Sequence, residues 1–188
     1  QQLLIALSGQ VEVVFEDAER GVIYDRYGVA LAKNSEFEGK NIRAYPPEGF
    51  LHVLGFLTQD DPNNGGKKFG VGASGLEAVY EEILKGVSEK RIEEIDNKGT
   101  VVGSGFLERG SAGSGIISAI DKDLQLALYQ NIKNTAGVYG FNGGAAVFLD
   151  VSSGETLALV SVPDFDPNVL RSGSDASNIQ ELLNSPGR

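Results

Sequence analysis

Apolar segments interrupted by Asp- and Gly-containing turns predict two β-hairpins, one near each end of the chain. In residues 22–32 the turn occupies residues 25–28, and in residues 145–160 it occupies residues 150–154. Asp accepts hydrogen bonds from backbone N–H groups two residues further on, and Gly adopts the positive φ that closes such turns. We therefore expect both segments to be strand–turn–strand units.

The spacing of apolar residues predicts one amphipathic helix over residues 74–85. Ser74 and Glu77 are three residues apart, as in a capping box. Five apolar residues then recur at helical spacing and form one stripe: Leu76, Val79, Tyr80, Ile83 and Leu84. Gly86 follows and is expected to end the helix in the left-handed conformation.

Two further helices are predicted downstream. The first covers residues 121–136, with Asp121 as the N-cap and Gly137 as the stop, and presents one apolar face formed by Leu124, Leu128 and Ile132. The second covers residues 175–183 and ends before Pro186.

The remaining segments are predicted as strands and loops. Residues 11–15, 50–57 and 116–120 are rich in β-branched and aromatic residues and are predicted as strands. Residues 59–70 are polar and predict a loop, and the glycine-punctuated residues 99–115 predict a linker or long loop. This mixture of separate hairpins and a few helices indicates the α+β class.

Charge and composition exclude several kinds of partner and site. The 188-residue chain has a formal net charge of −10, which repels phosphates and makes nucleic acid or an anionic membrane surface an unsuitable target. It contains no Cys, so disulfides and thiolate metal sites are excluded, and its one histidine, His52, cannot form a multi-imidazole metal site. The cofactor prediction is therefore none.

The first residue of the chain and the length of its apolar runs give two further predictions. It begins at Gln1 and contains no Met, which indicates a processed chain or an excised segment. The longest apolar runs fall far short of the roughly 20 residues that span a bilayer, so any membrane anchor is expected outside this chain.

Candidate chemistry is sparse. Residues 70–75 match G-x-G-x-x-G and precede a helix, but a polar loop stands where a dinucleotide site needs a buried strand, so a flexible helix entry is the preferred interpretation. His52 lies in an apolar segment and is interpreted as structural. Asp164 and Asp166 are interpreted as parts of a turn before Pro167.

Serine chemistry of one kind is excluded by spacing. No Ser is followed by Lys three positions later, and no K-T-G occurs. A penicillin-recognising serine acyltransferase requires both, because the Lys assists deprotonation of the Ser. This chain by itself is therefore predicted not to be an enzyme of that type.

The order of five sequence blocks resembles the N-terminal region of class B penicillin-binding proteins. The blocks begin with R-G-x-I-x-D-R-x-G-x-x-L-A at Arg20, where Tyr27 departs from the usual Asn, and continue with R-x-Y-P at Arg43 and H-V-L-G-F at His52. They then run through G-x-S-G-L-E-x-x-Y-E-x-x-L-x-G at Gly72, I-D-x-x-L-Q at Ile120 and G-E-x-L-A-x-x-S-x-P-x-F-D-P-N at Gly154.

The resemblance implies an elongated, hairpin-rich pedestal, also called the dimerisation domain, in residues 1–115. Residues 116–188 would be a linker followed by the first helix and hairpin of an incomplete D,D-transpeptidase domain. The parent would be a peptidoglycan transpeptidase of the elongation-specific, penicillin-binding protein 2-like branch, at the extracytoplasmic face of the membrane. Expected partners are a SEDS-type glycosyltransferase, cell-wall scaffold proteins and a second copy of the chain.

The family motif residues are expected to be structural, with no catalytic, cofactor or metal residue among them. Arg20 and Arg26 are expected to form bidentate pairs with carboxylates, and Asp25 and Gly28 to set the first turn. The full set is Arg20, Gly21, Asp25, Arg26, Gly28, Gly75, Leu76, Glu77, Tyr80, Gly86, Asp121, Gln125, Pro163, Asp166, Pro167 and Asn168.

Three alternatives remain open at this point. The chain could be a stand-alone extracellular binding or scaffold module, a small nucleotide-using enzyme built on residues 70–75, or part of a penicillin-binding homologue that has lost its activity. The first and third differ from the preferred interpretation only in what sequence is attached to this chain.

Overall fold

The computed structural model describes residues 10–16, 18–58, 70–164, 166 and 168, and it shows the expected α+β class. The strands in these residues are β1 (Gln10–Glu16), β2 (Ile23–Tyr24), β3 (Ala30–Phe37), β4 (Lys40–Ala44), β5 (Glu89–Ile95), β6 (Val101–Glu108), β7 (Ile116–Ile117), β8 (Gly144–Leu149) and β9 (Thr156–Val162). The helices are α1 (Leu51–Leu54), α2 (Gly75–Val79), α3 (Glu81–Leu84) and α4 (Lys122–Tyr139).

The core of the molecule lies against a four-stranded sheet in the order β4-β3-β2-β7. The β2–β3 hairpin predicted from the sequence is confirmed, and β7 adds to it in parallel, with Ile23 opposite Ile116. The buried residues of this core come from the sheet, from the short helices α1 and α3, and from positions close to these elements and to α4: Ile23, Leu31, Ala32, Tyr45, Phe50, Val53, Leu54, Leu84 and Ile120. Apolar burial here supplies the main driving force for folding.

A second sheet stands apart from this core, in the order β1-β5-β6. Strand β1 confirms the prediction for residues 11–15, whereas the linker predicted over residues 99–115 is wrong because residues 101–108 form β6. The glycines suggested a loop, but Gly103 and Gly105 have extended backbones that pair with β5. None of the residues of this sheet is buried.

The single helix predicted over residues 74–85 is broken into two short helices at Tyr80, whose φ is −106°. The capping box is also wrong, because the Ser74 side chain makes no capping hydrogen bond and Glu77 is completely buried. Of the predicted apolar stripe only Leu84 is fully buried, and Val79 is 74% exposed. Gly86 has a φ of 67°, which confirms the expected left-handed residue after the helix.

The strand predicted over residues 50–57 is wrong, since residues 51–54 form helix α1. A short, continuous apolar run has no period that separates a buried strand from a buried helical turn. Phe50, Leu51, Val53 and Leu54 face the core, whereas the side chain of His52 is exposed.

Helix α4 begins as predicted, because the Asp121 carboxylate accepts hydrogen bonds from the N–H groups of Asp123 and Leu124. It does not stop at Gly137, which lies within the helix; Gly140 ends it, with a left-handed φ of 71°. The helix packs on the confirmed hairpin β8–β9, in which Gly144 is opposite Val162.

The remaining predictions are met only in part or fall on residues that the structure does not describe. The strand predicted over residues 116–120 is only the two-residue β7. The helix predicted over residues 175–183 and most of the loop at 59–70 lie outside the described residues, and the division at residues 115 and 116 stays a prediction. Within the part of the chain that the structure describes, no helix is both long and apolar enough to cross a bilayer.

Candidate functional site

The most unusual feature of the molecule is a group of four charged side chains, here called the ionic cluster, in which Arg20, Arg43 and Glu77 are buried and Glu81 is partly buried. The two arginines are 3% exposed and Glu77 is 0% exposed. Arg20 donates from Nε to Glu77 Oε2 at 2.8 Å and from Nη2 to Glu81 Oε2 at 2.6 Å, and Arg43 donates from Nε to Glu77 Oε1 at 2.8 Å. Each oxygen of Glu77 therefore receives a different arginine.

The ionic cluster connects segments that are far apart in the sequence. Arg20 precedes β2, Arg43 lies in β4 and Glu77 lies in α2. The arginines also bind the main chain, since Arg43 Nη2 donates to the carbonyl of Gly21 at 2.8 Å and Arg20 Nη2 to that of Glu77 at 3.2 Å. This explains why the capping box fails: the carboxylate that would cap α2 is instead bound by two guanidinium groups.

Pairing of opposite charges lowers the free-energy cost of burying the ionic cluster. The cluster contains two positive and two negative groups, and none of the buried side-chain nitrogen and oxygen atoms in the described residues lacks a hydrogen-bond partner. Burial disfavours the charged form of Arg20, but hydrogen bonds and charge from Glu81 and Glu77 outweigh it and hold the Arg20 pKa above its usual value. Burial, together with the nearby charge of Glu77, also raises the pKa of Tyr45, whose hydroxyl lies 3.4 Å from Glu77 Oε1.

Two family motif glycines allow the segments of the cluster to come this close. A Cβ on Gly21 would lie 2.0 Å from the carbonyl oxygen of Ser114, and one on Gly75 would lie 2.5 Å from the backbone nitrogen of Gly55. Gly75 also has a φ of +57°. Any larger residue at these two positions would push backbone segments apart.

The first hairpin turn is organised by Asp25, which is 1% exposed. Its Oδ1 accepts from the N–H groups of Tyr27 at 2.9 Å and Val29 at 2.7 Å, and Gly28 has a φ of 83°. Arg26 reaches Glu155 with a single contact of 3.4 Å between partly exposed side chains, so its pairing is not bidentate. The turn therefore lies beside the β8–β9 hairpin.

A second polar junction connects α4 and β9 to residues 45–49. The fully buried Gln125 donates from Nε2 to the carbonyls of Gly49 at 2.6 Å and Leu159 at 2.7 Å, and its Oε1 accepts from Leu159 N at 2.8 Å. Asn168 makes a similar double contact, because it donates to Tyr45 O at 3.0 Å and accepts from Tyr45 N at 3.2 Å.

The remaining motif residues occupy more peripheral positions. Leu76 packs against the core, Tyr80 is 38% exposed between α2 and α3, and Gly86 packs near Gly113. Asp166 accepts from the backbone N–H of Asn168, and Pro163 follows a cis peptide bond. Pro167 lies outside the described residues.

Sequence reasoning did not single out Arg43 or Asn34 as site residues. Arg43 was noted only as part of a motif block, and Asn34 completes the cluster by accepting from Arg43 Nη1 at 3.0 Å and donating to the carbonyl of Arg20 at 2.8 Å. The only local signal was an Arg two residues before a Tyr in an otherwise ordinary strand. Sequence alone cannot show that these groups converge from different elements.

The geometry at residues 70–75 disfavours a nucleotide site. The N–H of Gly72 donates to Glu81 Oε2 at 3.1 Å, so a carboxylate of the chain already occupies the place of an anion. A Cβ on Gly72 would lie 2.2 Å from the carbonyl oxygen of Glu77. These glycines serve close packing within the chain.

Other chemical sites are not apparent in the described ranges. Three or more His, Asp or Glu side chains that could hold a metal ion together do not occur there. One shallow cleft of about 250 Å³ lies between α4 and the start of β8, lined by Asn131, Ile132, Thr135, Ala136, Phe141, Gly143 and Gly144. This lining contains no group that titrates near neutral pH.

Comparison with known proteins identifies relatives of one kind. Residues 35–117 match the family described as the penicillin-binding protein dimerisation domain. The probable peptidoglycan D,D-transpeptidase PenA of Neisseria meningitidis is 32% identical over 140 residues, which are 72% of this chain and 22% of that protein. The peptidoglycan D,D-transpeptidase MrdA of Escherichia coli is 29% identical over 164 residues, which are 80% of this chain and 25% of that protein.

A solved structure agrees with these relatives. Penicillin-binding protein 3 of Mycobacterium tuberculosis, in its apo form, superposes with a TM-score of 0.63 and 26% identity. The match covers 85% of this chain and 31% of that one. The chain thus spans about a fifth to a third of the length of these proteins.

Proposed function

Because this chain belongs to the class B penicillin-binding proteins and carries their dimerisation domain, we propose that it is the non-catalytic module of a peptidoglycan D,D-transpeptidase. In this role it positions the catalytic domain outside the membrane and contacts partners of cell-wall synthesis. The partners we propose are a SEDS-type glycosyltransferase and scaffold proteins, with a second copy as a further candidate.

The observation that supports this proposal best is the ionic cluster. It joins three of the family blocks, those at Arg20, Arg43 and Glu77, into one unit of paired charges. Buried, fully paired charges fix the relative positions of segments and do not react with a ligand. Such a unit suits a rigid support for a separate catalytic domain.

The junction at Gln125 supports the same role. Its three hydrogen bonds connect the loop around Gly49 with α4 and β9. These hydrogen bonds from the Gln125 side chain to main-chain groups therefore hold together residues from both sides of the predicted division at 115 and 116. A catalytic domain attached after this chain would take its orientation from these residues.

Penicillin labelling tests the enzymatic part of the proposal. The 188-residue chain and the protein at its native length are each incubated with a fluorescent penicillin. We expect covalent labelling of the native-length protein and none of the 188-residue chain. Absence of labelling in both would favour the alternative of a stand-alone binding or scaffold module.

A competition experiment tests the partner contacts. The 188-residue chain is produced with a membrane anchor in cells that contain the native-length protein. We expect it to displace that protein from a co-purified SEDS-type glycosyltransferase and to impair growth. Unchanged co-purification of the glycosyltransferase with the native-length protein, at an excess of the anchored chain, would contradict the partner part of the proposal.

The elongation-specific branch remains part of the proposal, and a change in cell shape without a block in division would support it.

A further inference from the structure

The sheet β1-β5-β6 has two faces of different chemistry, and one of them is lined by glycine. Residues that are paired across an antiparallel sheet lie on the same face. One face therefore has three cross-strand rows: Val11, Glu94 and Gly103; Val13, Ile92 and Gly105; and Phe15, Lys90 and Glu108. We call it the glycine face. Its β1 residues are 49–67% exposed.

The glycines of this face are not required by the fold around them. Neither Gly103 nor Gly105 has a positive φ. Among the residues that the structure describes, a Cβ at Gly105 would meet nothing within 4 Å, and one at Gly103 would meet only the Glu94 side chain, at 3.3 Å. Glycine weakens a strand interior, and it often marks a place where a ligand or another backbone approaches closely.

The opposite face has the character of a solvated surface. Arg91 donates from Nε to Glu93 at 2.8 Å and lies within 4 Å of Glu89 and Glu16. On the same face the guanidinium of Arg109 lies 5.0 Å from the ring centre of Phe106, which is still 54% exposed. The β6 residues Ser104 and Phe106 carry side chains on this face, whereas positions 103 and 105 of the glycine face carry none.

Charge indicates which kind of molecule the glycine face accepts. Residues 10–16 and 89–109 contain seven acidic and four basic residues, a net charge of −3. Lys90 is paired with Glu108 at 2.7 Å, whereas Glu94 has no ion-pair partner among the described residues. A second copy would bring more negative charge from a chain of net charge −10, which opposes association.

We propose that the glycine face is the docking site for an apolar segment of a partner protein that carries a Lys or Arg opposite Glu94. The apolar side chains of that segment contact Val13, Phe15 and Ile92, and its backbone lies over Gly103 and Gly105. The proposal deepens the proposed function, on which it rests, by naming the surface and the chemistry of the partner.

Photo-crosslinking on the two faces tests the location. Phe15 and Phe106 lie on opposite faces and are 51% and 54% exposed, so benzoylphenylalanine at either position is a matched pair. In cells with the native-length protein, we expect an intermolecular product from position 15 at least five times as abundant as that from position 106. Its mapped peptide is expected to be apolar with a Lys or Arg, and Glu94→Lys is expected to reduce its yield.

Each of these crosslinking outcomes would overturn the proposal: equal products from both positions, a product formed with a second copy, or a product formed within the same chain. If no crosslinked product forms at position 15 while the glycosyltransferase still co-purifies with the native-length protein, the glycine face is not the docking site. The proposed function would then still hold.

A pair of valine substitutions tests whether the face is open and needed. Gly105 and Ser104 are neighbours on β6 whose side chains lie on opposite faces. We expect Gly105→Val to raise the melting temperature of the free chain, because a β-branched residue favours a strand, and to lower the crosslink from position 15 at least tenfold. Ser104→Val is expected to leave the crosslink unchanged. A lower melting temperature for Gly105→Val would show that the chain's own residues cover the face, which would overturn the proposal.

Discussion

The ionic cluster and the sheet β1-β5-β6 contain charged residues in opposite circumstances. In the cluster, two arginines and Glu77 are almost completely removed from water, and every buried polar atom has a partner. In the sheet, the charged residues lie at the surface, and contacts such as Arg91 with Glu93 involve side chains that are partly exposed. The same residue types thus do different work in the two regions.

Solvation accounts for this difference. Removing one member of a buried ion pair leaves a charge without compensation, whereas an exposed pair loses little when it is broken. The cluster therefore fixes the fold of the region around β2, β4 and α2. The sheet keeps surface groups and bare glycines available for contacts with other molecules. Two pairs of substitutions and two changes of pH distinguish the role of the cluster from the role of the sheet.

The largest effect is expected from removing Glu77. Glu77→Ala leaves Arg43 buried without a carboxylate partner and Arg20 with only Glu81, so we expect a loss of about 3–5 kcal/mol in the free energy of unfolding. Urea denaturation measures it. The control is Glu82→Ala, whose side chain is 83% exposed and paired only with Lys85, with an expected loss of about 0.5 kcal/mol or less. Similar losses for both variants would contradict the comparison.

Next in size is the effect of crowding at a glycine. Gly75 and Gly99 both have positive φ, but only Gly75 is packed against backbone. Gly99 lies in the β5–β6 turn, and no atom of the described residues is within 4 Å of its Cβ position. We expect Gly75→Ala to cost about 3 kcal/mol and Gly99→Ala about 1 kcal/mol, because both pay for backbone strain and only the first pays for overlap. Equal costs in thermal denaturation would show that close packing at Gly75 is unimportant.

Alkaline pH is expected to weaken the cluster region. The raised pKa of Tyr45 in the folded chain means that its contribution is complete below the unfolded pKa of about 10 and is lost as the pH rises above it. The free energy of unfolding should fall above pH 10 by up to about 1.4 kcal/mol per pH unit from this group. Tyr45→Phe should reduce that slope, because it removes the hydroxyl that titrates. An unchanged slope in Tyr45→Phe would contradict the assignment.

The smallest effect is expected at acidic pH, in the turn at the tip of the β5–β6 hairpin. Hydrogen bonds from the N–H groups of Thr100 and Lys98 lower the pKa of Asp96. Its contribution is therefore present above the unfolded pKa of about 3.9 and is lost as the pH falls through the folded pKa. Protection of the Thr100 amide, measured as its exchange rate relative to the intrinsic rate at each pH, should decrease in that range. Asp96→Asn keeps an acceptor that does not titrate, so its exchange profile should lack this acid response.

The sequence was sufficient where a local rule decides the structure. Asp25 and Gly28 set the first turn, Asp121 caps α4, and Gly86 follows α3 in the left-handed conformation, each within a few residues of its partners. Such interactions can be deduced from spacing alone. The five ordered motif blocks identified the family for the same reason, since order and spacing are visible in one sequence.

The sequence was insufficient where distant groups decide the structure. Glu77 has the spacing of a capping residue, but two arginines 57 and 34 residues away bind it instead. The apolar run at Leu51–Leu54 becomes a helix because the core surrounds it, and β6 forms despite its glycines because β5 pairs with it. No local signal distinguishes these outcomes.

The parallel pairing of β2 with β7 has a consequence for how the chain folds. Ile23 and Ile116 are about 90 residues apart, so the four-stranded sheet is complete only after the chain between them has closed into a loop. Contacts of such separation cost loop-closure entropy and slow the folding reaction. We expect the local β2–β3 hairpin to form early and the pairing of β7, which completes the sheet, to come late.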